Sequence, residues 1–432
     1  MSEDLESMNS GTSRRGRWTA LLVGRAGRRA SVAGAALGAL VVLSTGLAPS
    51  AVADDVRSQQ WYLDKMLADR LWKVSTGKGI KVAVVDSGVN PSTPSLTGKV
   101  LKDEVPAAAA YGATKDFGGH GTSMAELIAG SGAGGGLQGL APGARIIPVR
   151  AKLDQLKDPA ERKKTASIPQ AIRAAADTDA QIISMSFGAE YSNDEEKSAV
   201  EYAAKKGKLM FAAVGNTGDK DNFIGYPAAY PEVVGVGASD ATGTVGKFSQ
   251  SGDYIDLAAP GVNVPTWCDA TFKQYCPGKG TSQAAAVASA SAALIWSAHP
   301  KWTASQVLRV MIDTAGRDWP KNQPSKYLGY GLIRPAQNLI AGKGNPGAPD
   351  VDPITNEKTS VAGSTTGATP STSVPASSQP PKSTSGGETS AAGSSAKSSD
   401  GNDQLWIVLG AAAVVVVIGG GAFAVLRARR SG

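Results

Sequence analysis

The sequence predicts an α/β domain built on a mainly parallel sheet, and two patterns carry that expectation. Short apolar runs recur at 82–85, 145–149, 181–185, 209–213 and 233–236, each with the composition of a strand buried on both faces. Helical patterns at 124–129, 168–176 and 197–206 lie between them, and alternation of strand and helix is the signature of parallel pairing. Residues 54–342 are enough chain to bury a sizeable core without help.

The chain opens on a targeting segment. Arg14, Arg15, Arg17, Arg25, Arg28 and Arg29 form a basic region, an apolar run follows at 33–47, and Ala51-Val52-Ala53 offers a small-x-small cleavage site. The apolar run is short and ends in that site, which suits a removed signal (1–53) better than an anchor helix. Ser13-Arg14-Arg15 hints at twin-arginine export, but no strongly apolar residue directly follows it, so the general secretory route is favoured.

The first strand-like run ends in Asp86, ahead of Ser87-Gly88. A carboxylate at the C-terminal end of a buried strand points into the crevice where α/β proteins hold ligands. His120 follows in Gly118-Gly119-His120-Gly121-Thr122, a glycine-rich loop running into a helix. The only other histidine, His299, stands in Ala298-His299-Pro300 at the end of a later helix, where an imidazole usually caps carbonyls. The glycine-rich stretch 130–136 follows a helix rather than a strand, so it reads as a flexible loop and not a nucleotide cradle. Residues 152–164 are a charged, proline-containing insertion, expected as a solvated loop, with a partner-docking segment as the other reading.

Gly278-Lys279-Gly280-Thr281-Ser282 precedes an alanine-rich run with the composition of a buried helix. The glycines are expected to let the backbone turn tightly. A serine here sits where free backbone N–H groups and the positive end of the helix dipole converge, a good place for an oxyanion beside a nucleophile. Alone, Ser282 reads as an N-cap. With a base at His120 and a carboxylate at Asp86 in the same chain, nucleophilic catalysis becomes the better reading.

Cys268 and Cys276 are the only cysteines. Outside the cytoplasm they most simply form a disulfide that closes one loop just ahead of Ser282. No cysteine–histidine spacing suggests zinc and no Asp-x-Asp-x-Asp-Gly loop suggests calcium, so no cofactor is required and structural calcium stays open.

From 343 to 404 Ser, Thr, Gly, Ala and Pro dominate, and the segment is expected to be a disordered stalk. Residues 405–426 are almost continuously apolar, about 22 residues or roughly 33 Å of helix, enough to span a bilayer. Arg427, Arg429 and Arg430 in the tail 427–432 would hold the C-terminus in the cytoplasm. No Leu-Pro-x-Thr-Gly precedes the span, so a retained anchor suits it better than a wall-sorting signal. The formal charge is +7, of which the first thirty residues and the tail carry all but about +1. The basicity belongs to membrane topology, which argues against a nucleic-acid partner.

Val84-Val85-Asp86-Ser87-Gly88, Gly119-His120-Gly121-Thr122 and Gly280-Thr281-Ser282 resemble the three signatures of subtilisin-like serine proteases. The run from Met210 to Asn216 resembles the oxyanion-hole asparagine motif of that family, and the likeness covers about 61–340. The resemblance implies a subtilisin-like three-layer fold. It also implies that Ser282 attacks the scissile carbonyl, His120 takes the proton and Asp86 orients the imidazole, while Asn216 and the Ser282 N–H hold the oxyanion. Ser186-Phe187-Gly188 matches the segment that pairs with substrate backbone in this family. With Ala212-Ala213-Val214-Gly215 it would wall the pocket for the residue before the scissile bond, and Phe187 suggests an apolar surface.

The order of signal segment, protease domain, stalk and C-terminal membrane helix resembles the mycosins, proteases associated with type VII secretion. That likeness implies protein or peptide substrates and membrane components of a type VII secretion system as partners. It also implies a single-pass location at the cell membrane, with the catalytic domain on the extracytoplasmic side. Gln60-Trp61-Tyr62 already resembles the start of a catalytic domain, so the stretch after Asp54 is too short for the inhibitory prodomain that many secreted subtilases carry.

Three positions depart from the family pattern. Ala284-Ala285-Ala286 replaces Ala-Ala-Pro, Gln283 replaces an apolar neighbour, and Glu126 stands where glycine is usual. A buried carboxylate is costly unless paired, so Glu126 is expected to find a partner or water near the site. Two function classes remain, a processing protease and a subtilase-fold scaffold in a membrane secretion assembly. A scaffold has no need of a base, a nucleophile and an oxyanion donor, and all four catalytic positions are filled, which favours the protease.

Overall fold

In a computed structural model, residues 56–359 are described. The signal segment, most of the stalk, the apolar span and the basic tail read from the sequence lie outside those residues. Six strands form the central sheet: β1 (Lys81–Asp86), β2 (Arg145–Arg150), β3 (Ile182–Met185), β4 (Leu209–Ala213), β5 (Val233–Ser239) and β6 (Leu257–Pro260). Their order is β2-β1-β3-β4-β5-β6, and every neighbouring pair is parallel.

The runs lack polar alternation because both faces are covered. Val82 and Val84 of β1 enter one core while Ala83 and Val85 enter the other. Leu209, Phe211 and Ala213 of β4 split from Met210 and Ala212 in the same way, the period-two alternation of a strand. Helix Thr281–Ala298 crosses one face against β3, β4, β5 and β6, with helix His120–Ala129 beside it. It is buried from Thr281 to Trp296, and its run of alanines lets it lie close against its neighbours. Helices Ile168–Ala176 and Asp194–Lys205 cover the other face. Ser167 opens the first with a capping box to Gln170, and Asn193 caps the second through the Glu196 N–H. These are the three layers expected of the sequence.

Some elements differ from expectation. An antiparallel pair, β7 (Val262–Trp267) and β8 (Tyr275–Lys279), leads into the Ser282 helix, and neither these strands nor β6 was foreseen. Pro265, Pro277 and Gly278 break the strand pattern there, and the Leu257-Ala258-Ala259-Pro260 run is too short to stand out. The insertion expected as a loop contains helix Pro159–Lys164, because Asp158 accepts the N–H groups of Ala160 and Glu161 and a proline opens the first turn. Residues 343–359, the expected start of the stalk, instead pack on helix Ala304–Thr314 and its cap. Arg309 donates to the Val351 carbonyl at 2.8 Å, and Thr303 donates to that of Pro349 at 2.7 Å. Among the described residues no helix is long and apolar enough to cross a membrane.

The strand order places β2 on one side of β1 and β3 on the other. At such a reversal the loops leaving the carboxyl ends part and open a crevice. Asp86 closes β1, Ser186 follows β3, and Asn216 stands three residues past β4.

Candidate active site

Asp86 is wholly buried and is satisfied from two sides. Its Oδ1 accepts the Ser87 N–H at 2.7 Å. The His120 Nδ1 lies 2.8 Å from Oδ1 and 3.0 Å from Oδ2. A carboxylate only accepts, so this contact places the proton on Nδ1 and leaves Nε2 free to accept one. Burial pulls the imidazole pKa down, but the charge and hydrogen bond of Asp86, helped by Asp116, outweigh it and raise the pKa above its ordinary value. The ring is still 41% exposed, so a substrate can reach it.

The backbone must approach closely for that pair to form. A side chain on Gly121 would put its Cβ 2.2 Å from the Gly88 carbonyl oxygen and 3.0 Å from the Asp86 Cβ, so only glycine fits beside the histidine. Asp116, which the sequence reading passed over, organises the same turn. Its Oδ1 accepts the Gly118 and Gly119 N–H groups at 2.9 and 2.8 Å and the Ser87 hydroxyl at 2.7 Å. Its Oδ2 accepts both the N–H and the hydroxyl of Thr122, at 2.8 and 2.7 Å. A carboxylate four residues ahead of a histidine at a helix start was the legible signal for this role.

Ser282 is the second residue of its helix and not the cap, which is Gly280. Gly280 is extended, at φ 168°, so it makes no tight turn. A Cβ there would lie 2.7 Å from Gln283 Oε1, so that side chain would have to shift. The cap has no side chain to pair with the first N–H groups, and among the described residues the Ser282 N–H has no hydrogen-bond partner. The Ser282 hydroxyl donates to the Ser186 carbonyl at 3.1 Å rather than to His120. The Ser186 hydroxyl returns a bond to the Ser282 carbonyl at 3.2 Å.

Asn216 is held by Thr281, a second residue the sequence reading missed. The Thr281 N–H and hydroxyl donate to Asn216 Oδ1 at 2.8 and 3.1 Å, and the same hydroxyl accepts the Gly215 N–H at 3.1 Å. With Oδ1 occupied, the –NH2 end of Asn216 is the one available to a ligand, and the residue is exposed. Across from it, the Ser186–Gly188 segment continues to Ala189, which exchanges two backbone bonds of 2.8 Å with Tyr226. A Cβ on Gly188 would meet the carbonyl oxygens of Ala213 and Tyr226 at 3.7 Å, an ordinary van der Waals contact. Phe187 turns to the core beneath and is only partly buried.

The remaining candidates fall where expected or explain themselves. Cys268 and Cys276 form a disulfide between the ends of β7 and β8. His299 stacks on Trp302 at 3.7 Å at the end of the Ser282 helix, a structural place. Glu126 is buried and finds two partners, the hydroxyls of Thr93 at 2.7 Å and Tyr275 at 2.8 Å. Among the described residues no cluster of histidine, cysteine or acidic side chains could hold a metal ion.

Comparison with known proteins gives this geometry a family. The chain is 34% identical over 291 residues to minor extracellular protease Epr of Bacillus subtilis (strain 168), covering 64% of this chain and 41% of that protein. It is 34% identical over 261 residues to subtilisin E of the same organism, covering 60% of this chain and 65% of that protein. It thus spans less than two thirds of either relative. The fold is similar to that of MycP1 from Mycobacterium smegmatis, with a TM-score of 0.55, 28% identity, and coverage of 67% of this chain and 86% of that one. It is also similar to the MycP3 protease from the type VII (ESX-3) secretion system, with a TM-score of 0.53, 29% identity and coverage of 65% and 87%. The model of the subtilase family, Peptidase_S8, matches residues 77–331. The chain therefore belongs to the subtilase family of serine proteases.

Proposed function

We propose that this chain is a serine endopeptidase in which Asp86, His120 and Ser282 form the catalytic triad. The observation that supports it best is the buried Asp86 carboxylate holding Nδ1–H of His120, with Nε2 left as an acceptor at the sheet edge that also carries Ser282. An extended substrate adds to the Ser186–Gly188 segment, and a substrate N–H takes the Ser186 carbonyl. That displaces the Ser282 hydroxyl, which turns to His120 Nε2. His120 then accepts its proton as Ser282 attacks, and Asp86 stabilises the imidazolium. The negative oxygen is held by the Ser282 N–H and the Asn216 –NH2 group. The imidazolium gives its proton to the leaving amine, and water resolves the acyl-enzyme by the same route in reverse.

The setting belongs to the same proposal. A solved relative, 31% identical, is described as MycP1, an essential component of the type VII (ESX-1) secretion system. With the apolar span 405–426, this supports a membrane-anchored protease on the extracytoplasmic side that processes secreted proteins in a type VII context. A second reading, a scaffold within that secretion assembly, is favoured by the exposed helix Pro159–Lys164, whose last turn carries Arg162, Lys163 and Lys164 and serves no catalytic residue. A deletion strain complemented with wild type or Ser282→Ala separates the two, with export and substrate processing scored independently. The protease reading expects processing to vanish with the serine while export survives if the fold also supports the assembly. Unchanged processing would leave only the scaffold.

A further inference from the structure

Glu126 has no part in the triad, yet it lies six residues after His120 on the same helix and is fully buried. Its Oε1 accepts the hydroxyl of Thr93, in the loop after β1, and its Oε2 accepts that of Tyr275, the first residue of β8. Tyr275 stacks on Trp267 with ring centroids 3.8 Å apart, and the Cys268–Cys276 disulfide joins the two strands beside that stack. The Trp267 N–H donates to the Ser123 hydroxyl at 3.0 Å, a second tie between the hairpin and the His120 helix. β8 then runs directly through Gly280 to Ser282. The segment that bears the base and the segment that delivers the nucleophile therefore meet at one carboxyl group.

We propose that Glu126, in its ionised form, is a positioning residue that clamps the hairpin to the His120 helix and so holds Ser282 in register with its base. The inference rests on the triad assigned above. Donor arithmetic selects the ionised form. The Tyr275 oxygen already accepts the Leu137 N–H at 3.3 Å, so its own proton is the one directed at Glu126. The buried indole N–H of Trp267 has no acceptor of its own and lies close enough to favour the ionised carboxylate. A protonated carboxyl would aim a further O–H at oxygens whose protons already face it, and one contact would be lost. The titratable groups facing Glu126 are Tyr275 from the hairpin and Tyr62 from the N-terminal segment, and neither is a cation. Burial raises its pKa to about 7 against the pull of these donors, so the clamp changes state close to neutrality.

Full-length protein carrying Glu126→Gln tests this, because a glutamine reproduces the protonated state at every pH. The readouts are kcat and KM on one peptide substrate from pH 5.5 to 9. On acidification wild type should lose kcat/KM through two groups, His120 by continuing loss and Glu126 by a further factor of roughly ten that levels off once it is protonated. The variant should show a one-proton limb and, at pH 8.5, a kcat roughly tenfold lower with KM little changed. Tyr275→Phe, which keeps the stack on Trp267 and removes only the hydroxyl, should give the same loss of kcat and decides the matter if Glu126→Gln does not fold. Wild-type kcat and a wild-type acid limb in the folded variants would overturn the clamp. If wild type itself fails to cleave peptides or to react with a fluorophosphonate, the triad reading fails instead, and the two failures are distinguishable.

Discussion

Asn216 shows how one residue can be fixed for a single task. Thr281 occupies its Oδ1 with two donors, so the amide cannot turn over without leaving a hydroxyl and an N–H unpaired. Under the proposed mechanism, the –NH2 group left free acts when negative charge develops on the substrate oxygen. Asn216→Ala is therefore expected to lower kcat by about 10²–10³-fold, or roughly 2.7–4 kcal/mol, with KM nearly unchanged. Steady-state kinetics on one peptide substrate checks this, and a loss confined to KM would contradict it. Asp86, His120, Ser282 and Asn216 could be picked out as candidates from the sequence because each stands in a short local motif. Asp116 left only the faint signal of a carboxylate four residues ahead of His120, and Thr281 left none, since its hydroxyl and N–H show their value only when Gly215 and Asn216 of another segment come to them.

At the scale of elements, the buried parallel strands were legible because a strand covered on both faces is an unbroken apolar run. The β7–β8 hairpin was not, because prolines and a glycine stand where alternation should be. Its stability rests on the disulfide and the Trp267–Tyr275 stack across its own strands and on Glu126 from a distant helix. Glu126 also makes the element sensitive to pH. Burial holds its pKa at about 7 in the fold, above its ordinary value of 4.5. A group whose folded pKa is raised stabilises the fold fully below the unfolded value, and that contribution is lost as pH rises through the folded one. The shift corresponds to about 3 kcal/mol lost between pH 4.5 and 7. His120, also raised, acts in the same direction in wild type and variant alike. Thermal unfolding should thus show a smaller fall in Tm from pH 5 to pH 8 for Glu126→Gln than for wild type. Parallel curves for the two would show that Glu126 is not the titrating group. On this account the ionised form that serves catalysis is also the less stable one.

Across the described residues, the six-stranded sheet separates two cores, and the candidate site residues all rise from its carboxyl edge or from helices on one face. Asp86 comes with β1, His120 and Ser282 come with the two helices of the first core, and Asn216 and Ser186 come with loops after β4 and β3. The strand order makes that convergence possible, and no local motif in the sequence states it. Packing of 343–359 on helix Ala304–Thr314 likewise depends on carbonyls in a low-complexity segment reaching Arg309 and Thr303, which composition cannot show.

The central claim is that these elements turn Ser282 into a nucleophile with His120 as its base. It is tested most directly by reacting the full-length protein with a fluorophosphonate at pH 8 and locating the adduct by peptide mass spectrometry. The account predicts a single adduct on Ser282 in wild type, formed at least about 10³-fold more slowly in His120→Ala. An adduct on another residue, or undiminished reaction without His120, would contradict it.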